Sequence, residues 1–243
     1  MYKLIFSIIA ISIFAGCGDD NGTNPVDENG IVSMYSLLNI DIDNMWVYDK
    51  FTRERQGRDW ESLGQVDAEY LSTDEDSTTF IFYASATEEN DFPVEFSVDS
   101  NALYLNEISI DDALAGNIVR SLDYDKIKVA DLLNNTWTND TLFFENFPLD
   151  EENSLTGYMS FAGERLSDTV ITYKNRTDTL RRFNMKANIA ANHDQQGYIF
   201  RAFPAYKITL LNNVGIYSFE LYNHINTAIA VREIDYRLKD IIK

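Results

Sequence analysis

Residues 92–101 read Phe-Pro-Val-Glu-Phe-Ser-Val-Asp-Ser-Asn and hold the clearest strand pattern in the chain. Apolar side chains recur at every second position from Phe92 to Val98, with Glu95 and Ser97 between them. This alternation is typical of a half-buried antiparallel strand. Turn-forming residues then precede a second apolar stretch over 102–110. The sequence therefore predicts a β-hairpin here.

The same pattern of short strands and polar turns continues through most of the chain. Further strands are predicted over 45–53, 80–83, 137–144, 155–163, 169–174, 179–190, 198–211, 216–222 and 228–238. Residues 111–116 favour a short helical turn, and 125–133 allow one, although their β-branched residues disfavour it. We expect an all-β or mainly β fold: an antiparallel, strongly twisted sheet forming a sandwich or half-barrel, with at most one or two short helices.

The N-terminus has the features of a secretory signal. Lys3 precedes an uncharged apolar run over 4–15, and Ala15 and Gly16 are the small residues that signal cleavage requires. As a helix, the run would be about 18 Å long, which is too short for the roughly 30 Å hydrocarbon core of a bilayer. We therefore interpret residues 1–16 as a signal peptide.

Cys17 is the only cysteine in the chain, so it has no intramolecular disulfide partner. The residues Phe14-Ala15-Gly16-Cys17 resemble the lipobox of bacterial lipoproteins, which implies that Cys17 is lipidated and holds the protein in a membrane. Residues 17–30 are rich in Gly, Asn and Asp and form a flexible acidic tether. Gly18-Asp19-Asp20 resembles a surface-export signal, so we expect an outer-membrane lipoprotein, with the cell surface favoured over the periplasmic face.

The composition restricts the possible partners. The 243 residues contain 20 Lys and Arg against 39 Asp and Glu, a net charge of −19, which repels nucleic acid. The 45% hydrophobic content predicts a packed core. We expect one β-rich domain over 31–243. Because Leu37-Leu38 before Trp46 is echoed by Leu132-Leu133 before Trp137, two similar halves meeting near 125–135 remain an alternative.

Segments at both ends of the domain resemble one family. Tyr35-Ser36-Leu37-Leu38 followed by Asn44-Met45-Trp46-Val47-Tyr48 is similar to the opening Tyr-x-Pro-Leu…Gly-Asn-x-Trp-x-Tyr of many uncharacterised secreted bacterial β-sheet lipoproteins. Asn213-Val214-Gly215-Ile216 and the final Leu238-Lys239-Asp240 resemble their closing segment. The resemblance implies architecture and location, and it brings no catalytic residue with it.

Metal-ligating and catalytic patterns are weak. Asp41 and Asp43 could begin a calcium loop, but Trp46 occupies the position of the glycine that an EF-hand requires. With Asp74 and Asp76 they remain calcium candidates, and we expect no other cofactor. His193 and His224 have no partner at a triad or ligand spacing. No residue is therefore predicted to be catalytic.

Three functions remain open. The first is a non-catalytic binding or structural module at the cell envelope, whose partner is a protein or a glycan. The second is a carrier that holds an apolar ligand in a curved-sheet cavity. The third is a hydrolase using paired carboxylates, with Glu95, Glu107 and Glu220 on predicted strands. The aromatic residues could form a core or a sugar- or lipid-binding face; Trp46, Trp60 and Trp137 are expected in the core.

Overall fold

A computed structural model describes residues 32–39, 44–53, 59–74, 77–84, 94–106, 118–119, 121–148, 152–223 and 232–242. The signal peptide, Cys17 and the tether lie outside these residues. One helix, α1 (Met34–Leu38), precedes the strands. These are β1 (Met45–Arg53), β2 (Glu61–Asp74), β3 (Ser77–Ala84), β4 (Val94–Val98), β5 (Ala102–Asn106), β6 (Lys126–Asp131), β7 (Thr136–Thr138), β8 (Leu142–Pro148), β9 (Ser154–Arg165), β10 (Thr169–Tyr173), β11 (Arg176–His193), β12 (Gly197–Leu211), β13 (Gly215–Asn223) and β14 (Arg232–Ile242).

All fourteen strands belong to one antiparallel sheet, in the order β6-β5-β4-β3-β2-β1-β14-β13-β12-β11-β9-β7. In addition, β8 pairs with β9, and β10 pairs with β11. The first and last strands of the chain are neighbours, since β1 pairs with β14. The sheet is not closed into a barrel. The expected all-β, antiparallel fold class is confirmed.

The two ends of the sheet approach each other. Strand β6, at one end, contacts β9 and β11 near the other end. The backbone N–H of Lys128 on β6 donates to Asn139 Oδ1 at 2.7 Å, and its carbonyl accepts from the Trp137 indole at 2.9 Å. Strand β6 ends the sheet, and the side chains of Asn139 and Trp137 therefore provide hydrogen-bond partners for its exposed backbone N–H and C=O groups.

The face that the sheet turns inward, called here the inner face, packs into a single hydrophobic cluster. Helix α1 contributes Met34, Leu37 and Leu38 to it, all of them buried. Ser33 caps this helix, because its hydroxyl accepts from the Ser36 amide at 3.2 Å. Alternate residues of β11 from Phe183 to Ala191 join the cluster, as do Leu155, Met159 and Phe161 of β9, because successive side chains of a strand point to opposite faces.

The opening and closing segments singled out in the sequence lie against each other. The Trp46 indole donates to the Val214 carbonyl at 2.8 Å, and the Tyr48 hydroxyl donates to the Ile216 carbonyl at 2.7 Å. Gly215 lies between these carbonyls with a φ of 114°, and a Cβ there would be 3.0 Å from the Leu38 carbonyl oxygen. The glycine is needed both for its backbone conformation and for this close approach.

Most of the predicted strands are present. Strand β1 has the predicted bounds, and the predicted hairpin is the antiparallel pair β4 and β5, although Phe92 and Pro93 lie outside the described residues. The possible helix over 125–133 is wrong, because Ile127 and Val129 point inward on strand β6. The predicted strand 137–144 is two strands, β7 and β8. Strand β2 was not predicted.

Within the part of the chain that the structure describes, no helix has the length and apolar character needed to cross a membrane.

Candidate functional site

Large aromatic side chains project from the outer face of the sheet, the face that points away from the hydrophobic cluster. Phe143 is 71% exposed, Tyr158 40%, Tyr198 67% and Phe200 58%. We call these four residues the aromatic patch. The rings of Phe143 and Tyr158 are in contact, with centroids 6.2 Å apart. Exposed aromatic groups of this size are typical of interaction surfaces.

The strand register assembles the patch from distant parts of the chain. Phe143 pairs with Tyr158, Tyr158 with Ala190, and Ala190 with Phe200, so three rings of the patch lie in one row across β8, β9, β11 and β12, with Ala190 between Tyr158 and Phe200. Tyr198 lies two residues before Phe200 on β12 and therefore on the same face. Ala190 is only 2% exposed, as expected for a methyl group between two large rings.

The surroundings of the patch on β9, β11 and β12 are uncharged and mostly polar. On β9, β11 and β12, the outward-facing residues beside the row are Thr156, Ser160, Asn188, Asn192 and Ala202. These side chains provide hydroxyl and amide groups that both donate and accept hydrogen bonds. The ionised group that borders this surface on β8 is Glu145, which is exposed two residues after Phe143.

A shallow groove continues the outer face beyond the patch. Its volume is about 430 Å³, within the range of small-ligand pockets. The outward-facing side chains of β7, β9 and β11 line it: Thr136, Thr138, Ala162, Glu164, Asn184 and Lys186. Lys186 and Glu164 form an ion pair at 3.9 Å, so the charges in the groove are partly neutralised.

Of the residues proposed from sequence for lipidation and metal binding, Asp74 is the one that the structure describes. Cys17, Asp41, Asp43 and Asp76 lie outside the described residues. Asp74 is the last residue of β2, at the turn into β3, far in strand order from β9. Among the described residues, no group of three or more His, Cys, Asp or Glu side chains could hold a metal ion.

Two other candidates for catalysis, His193 and Glu95, are engaged with neighbours. His193 Nδ1 accepts from the backbone amides of Gln195 and Gln196 in the turn between β11 and β12. Glu95 accepts from the Asn106 side chain. His224 and Glu107 lie outside the described residues.

One pair of carboxylates does lie side by side on the outer face. Glu220 on β13 and Asp235 on β14 are register partners. Glu220 accepts from the Tyr222 hydroxyl at 2.7 Å and pairs with Lys207 at 3.2 Å. Burial raises the pKa of Asp235, a hydrogen bond from Arg237 opposes this, and the charge of Glu220 adds to the rise.

This pair lacks the access that hydrolysis requires. Asp235 is 4% exposed, and its Oδ1 is enclosed without a hydrogen-bond partner among the described residues. The guanidinium group of Arg237 holds its Oδ2 and also lies over the rings of Phe51 and Trp60. A substrate would have to displace these groups to reach the acid, so the arrangement favours a structural role.

The three tryptophans differ in environment. Trp46 is fully buried, and Trp137 is 8% exposed, as expected for core residues. Trp60 is half-buried just before β2, and its ring stacks with the Arg53 guanidinium at 4.2 Å. Its expected place in the core is therefore not observed, since cations cover its ring.

The aromatic patch was not singled out in the sequence. Tyr198 and Phe200 flank Ile199 in a run that consists largely of apolar residues, so periodicity alone does not show which set faces the core. The alternation in the neighbouring strand β11 could have separated the two sets. There Ile189 and Ala191 are apolar and buried, whereas Asn188 and Asn192, on the opposite face, are polar.

Comparisons with known proteins give distant similarities only. No protein-family model matches the chain, and no curated protein does. A solved structure of a presumed lipoprotein from Parabacteroides distasonis is 12% identical, with 85% of this chain and 98% of that chain covered and a TM-score of 0.36. The hypothetical lipoprotein YmcC from Escherichia coli is 8% identical, with 86% and 94% covered and a TM-score of 0.30. A LolA-superfamily protein from Nitrosomonas europaea is 8% identical, with 86% and 93% covered and a TM-score of 0.18. These values assign neither a family nor an activity.

Proposed function

We propose that this protein is a non-catalytic binding module, held at the bacterial outer membrane by lipid on Cys17 and favouring the cell-surface side. The observation that carries the binding role is the aromatic patch, which exposes four large rings on one face of a rigid sheet. The tether over 17–30 would allow this face to reach a protein or glycan of the envelope.

The packing of the inner face favours a binding module over a carrier. A carrier needs an apolar cavity on the concave side of its sheet. Here side chains of α1 and the strands fill that side in one continuous cluster among the described residues.

The anchor is tested with Cys17→Ala in cells that produce the full chain. We expect the unmodified protein to sediment with membranes and to require detergent for release, whereas Cys17→Ala appears in the soluble fraction. Thr23→Ala, a substitution within the same tether, is the matched control and should behave like the unmodified protein. Continued membrane association of Cys17→Ala would show that the lipid anchor is wrong.

The side of the membrane and the absence of catalysis need two further measurements. Protease added to intact cells should remove the protein if it faces outward, while protection would place it on the periplasmic face.

The purified chain should release no reducing sugar or peptide from envelope polymers. Turnover that is abolished by Glu220→Gln would establish a hydrolase and contradict the proposal.

A further inference from the structure

The structure points to the chemistry of the partner: we infer that the aromatic patch binds a neutral glycan chain. This inference rests on the proposed binding function and specifies its ligand. It follows from the spacing of the rings, the polar groups between them and the distribution of charge.

The spacing suits an extended, ribbon-like ligand. Tyr158 and Phe200 are separated by β11, so their backbones are two strand spacings apart, about 10 Å. Ala190 keeps the surface between them low. Phe143 extends the row at one end, and the strands hold all of these rings in fixed positions. A linear polymer could therefore contact several rings at once without reorganising the protein.

The chemistry of the surface matches that of a sugar ring. A pyranose has C–H groups on its faces, which pack against aromatic rings, and hydroxyl groups around its rim. Phe143, Tyr158 and Phe200 provide the apolar surfaces, while Asn188 and Asn192 offer amide donors and acceptors between them. One face of the sheet therefore offers both the apolar surfaces and the hydrogen-bonding groups that a sugar ring needs.

The charge distribution selects a neutral glycan over other occupants. A second copy of the chain or an anionic lipid surface would be repelled by the net charge of −19. An anionic polysaccharide would be repelled in the same way. Outward-facing residues of β9, β11 and β12 in the patch carry no ionised group, and the exposed Glu145 beside Phe143 on β8 adds a negative charge, so an anionic partner is disfavoured.

The test uses the full chain in a polyoxyethylene detergent, which contains no sugar. Its migration is measured in native gels that contain mannan, xylan, dextran or, as an anionic comparison, polygalacturonate. We expect at least one neutral polymer to retard the protein and polygalacturonate to leave it unaffected. The double variant Tyr158→Ala/Phe200→Ala should weaken the apparent affinity at least about ten-fold, because two ring contacts are lost.

The matched control is Leu133→Ala/Val170→Ala, which removes two exposed apolar side chains outside the patch. It should bind like the unmodified chain, and both double variants should keep the circular dichroism spectrum and melting temperature, since surface changes cost little. Tyr158→Phe, which keeps the ring, should retain most of the affinity.

Several results would overturn the inference. These are the absence of retardation by all three neutral polymers, equal retardation by polygalacturonate, or unchanged affinity of the patch variant. Sedimentation showing a dimer that the patch variant dissociates would assign the face to self-association instead. None of these results affects the membrane fractionation of Cys17→Ala, so failure of the glycan assignment can be distinguished from failure of the anchor.

Discussion

The contact between Trp137 and Gly163 shows how one residue type determines the packing at the end of the sheet. The indole of Trp137 lies directly over Gly163 on the inner face of β9, where a Cβ would be 2.1 Å from two ring atoms. This position lets the indole N–H reach the Lys128 carbonyl at 2.9 Å. Glycine is therefore required here for space.

Gly163→Ala should destabilise the protein by about 3 kcal/mol, because the indole must move and its hydrogen bond to Lys128 is lost. The measurement is urea denaturation followed by circular dichroism. The same substitution in a Trp137→Leu background should cost much less, since the clash is then removed. Equal costs in the two backgrounds would show that the indole does not determine the packing at Gly163.

At the scale of elements, the connection between β6 and β7 depends on Asp131. This residue is 1% exposed, and its carboxylate accepts from the Leu133 and Asn134 amides at 2.9 and 3.0 Å. It also accepts from Lys128 Nζ at 2.9 Å. Burial alone would raise the pKa of Asp131, but these hydrogen bonds outweigh it and hold the pKa below its ordinary value. The carboxylate thereby fixes the turn that joins the two ends of the sheet.

Asp131→Asn should destabilise the protein at pH 7 by about 1.5 to 3 kcal/mol, the usual range for hydrogen bonds to a charged group. A carboxyl whose pKa is lowered by folding stabilises the protein above its unfolded pKa, about 3.9, and loses this effect as the pH falls through the folded pKa. The difference between the two proteins should therefore shrink below about pH 4. Urea titrations at pH 7 and pH 3 measure it.

Asp168→Asn is the control for this prediction. Asp168 is more exposed and pairs with Arg165 at 2.8 Å on the surface, so its replacement should cost under about 1 kcal/mol at pH 7. If Asp131→Asn were no more destabilising than this control, the carboxylate would not be what fixes the turn.

The sequence predicts some strands of the sheet better than others. Strand β1 was predicted with its exact bounds because Trp46, Tyr48 and Lys50 share a face that is buried in the structure. Strand β2 was missed because its described inward residues include only Val66 and Ala68 as buried positions. Strands β7 and β8 were joined in the prediction, since sequence cannot show that Asn139 interrupts them to bind Lys128 on β6.

At the scale of the whole molecule, the two faces of one sheet have separate tasks. The inner face packs against itself and α1, while the outer face over β8, β9, β11 and β12 carries the aromatic patch. The composition gives the number of aromatic residues, but it does not predict which of them lie on the inner face and which on the outer face. The row of Phe143, Tyr158 and Phe200 exists only through the register of four strands, which local sequence patterns do not encode.

Photo-crosslinking in intact cells tests most directly whether this face is where the protein binds. A p-benzoylphenylalanine residue replaces Phe200 in the full chain, and in a parallel strain it replaces Val170, which is similarly exposed outside the patch. We expect an adduct from position 200 and none from position 170. A diffuse, protease-resistant adduct that periodate degrades would identify a glycan, and a discrete protein adduct would keep the binding role while excluding the glycan. No adduct at position 200, or equal adducts at both positions, would show that the aromatic patch is not the binding surface.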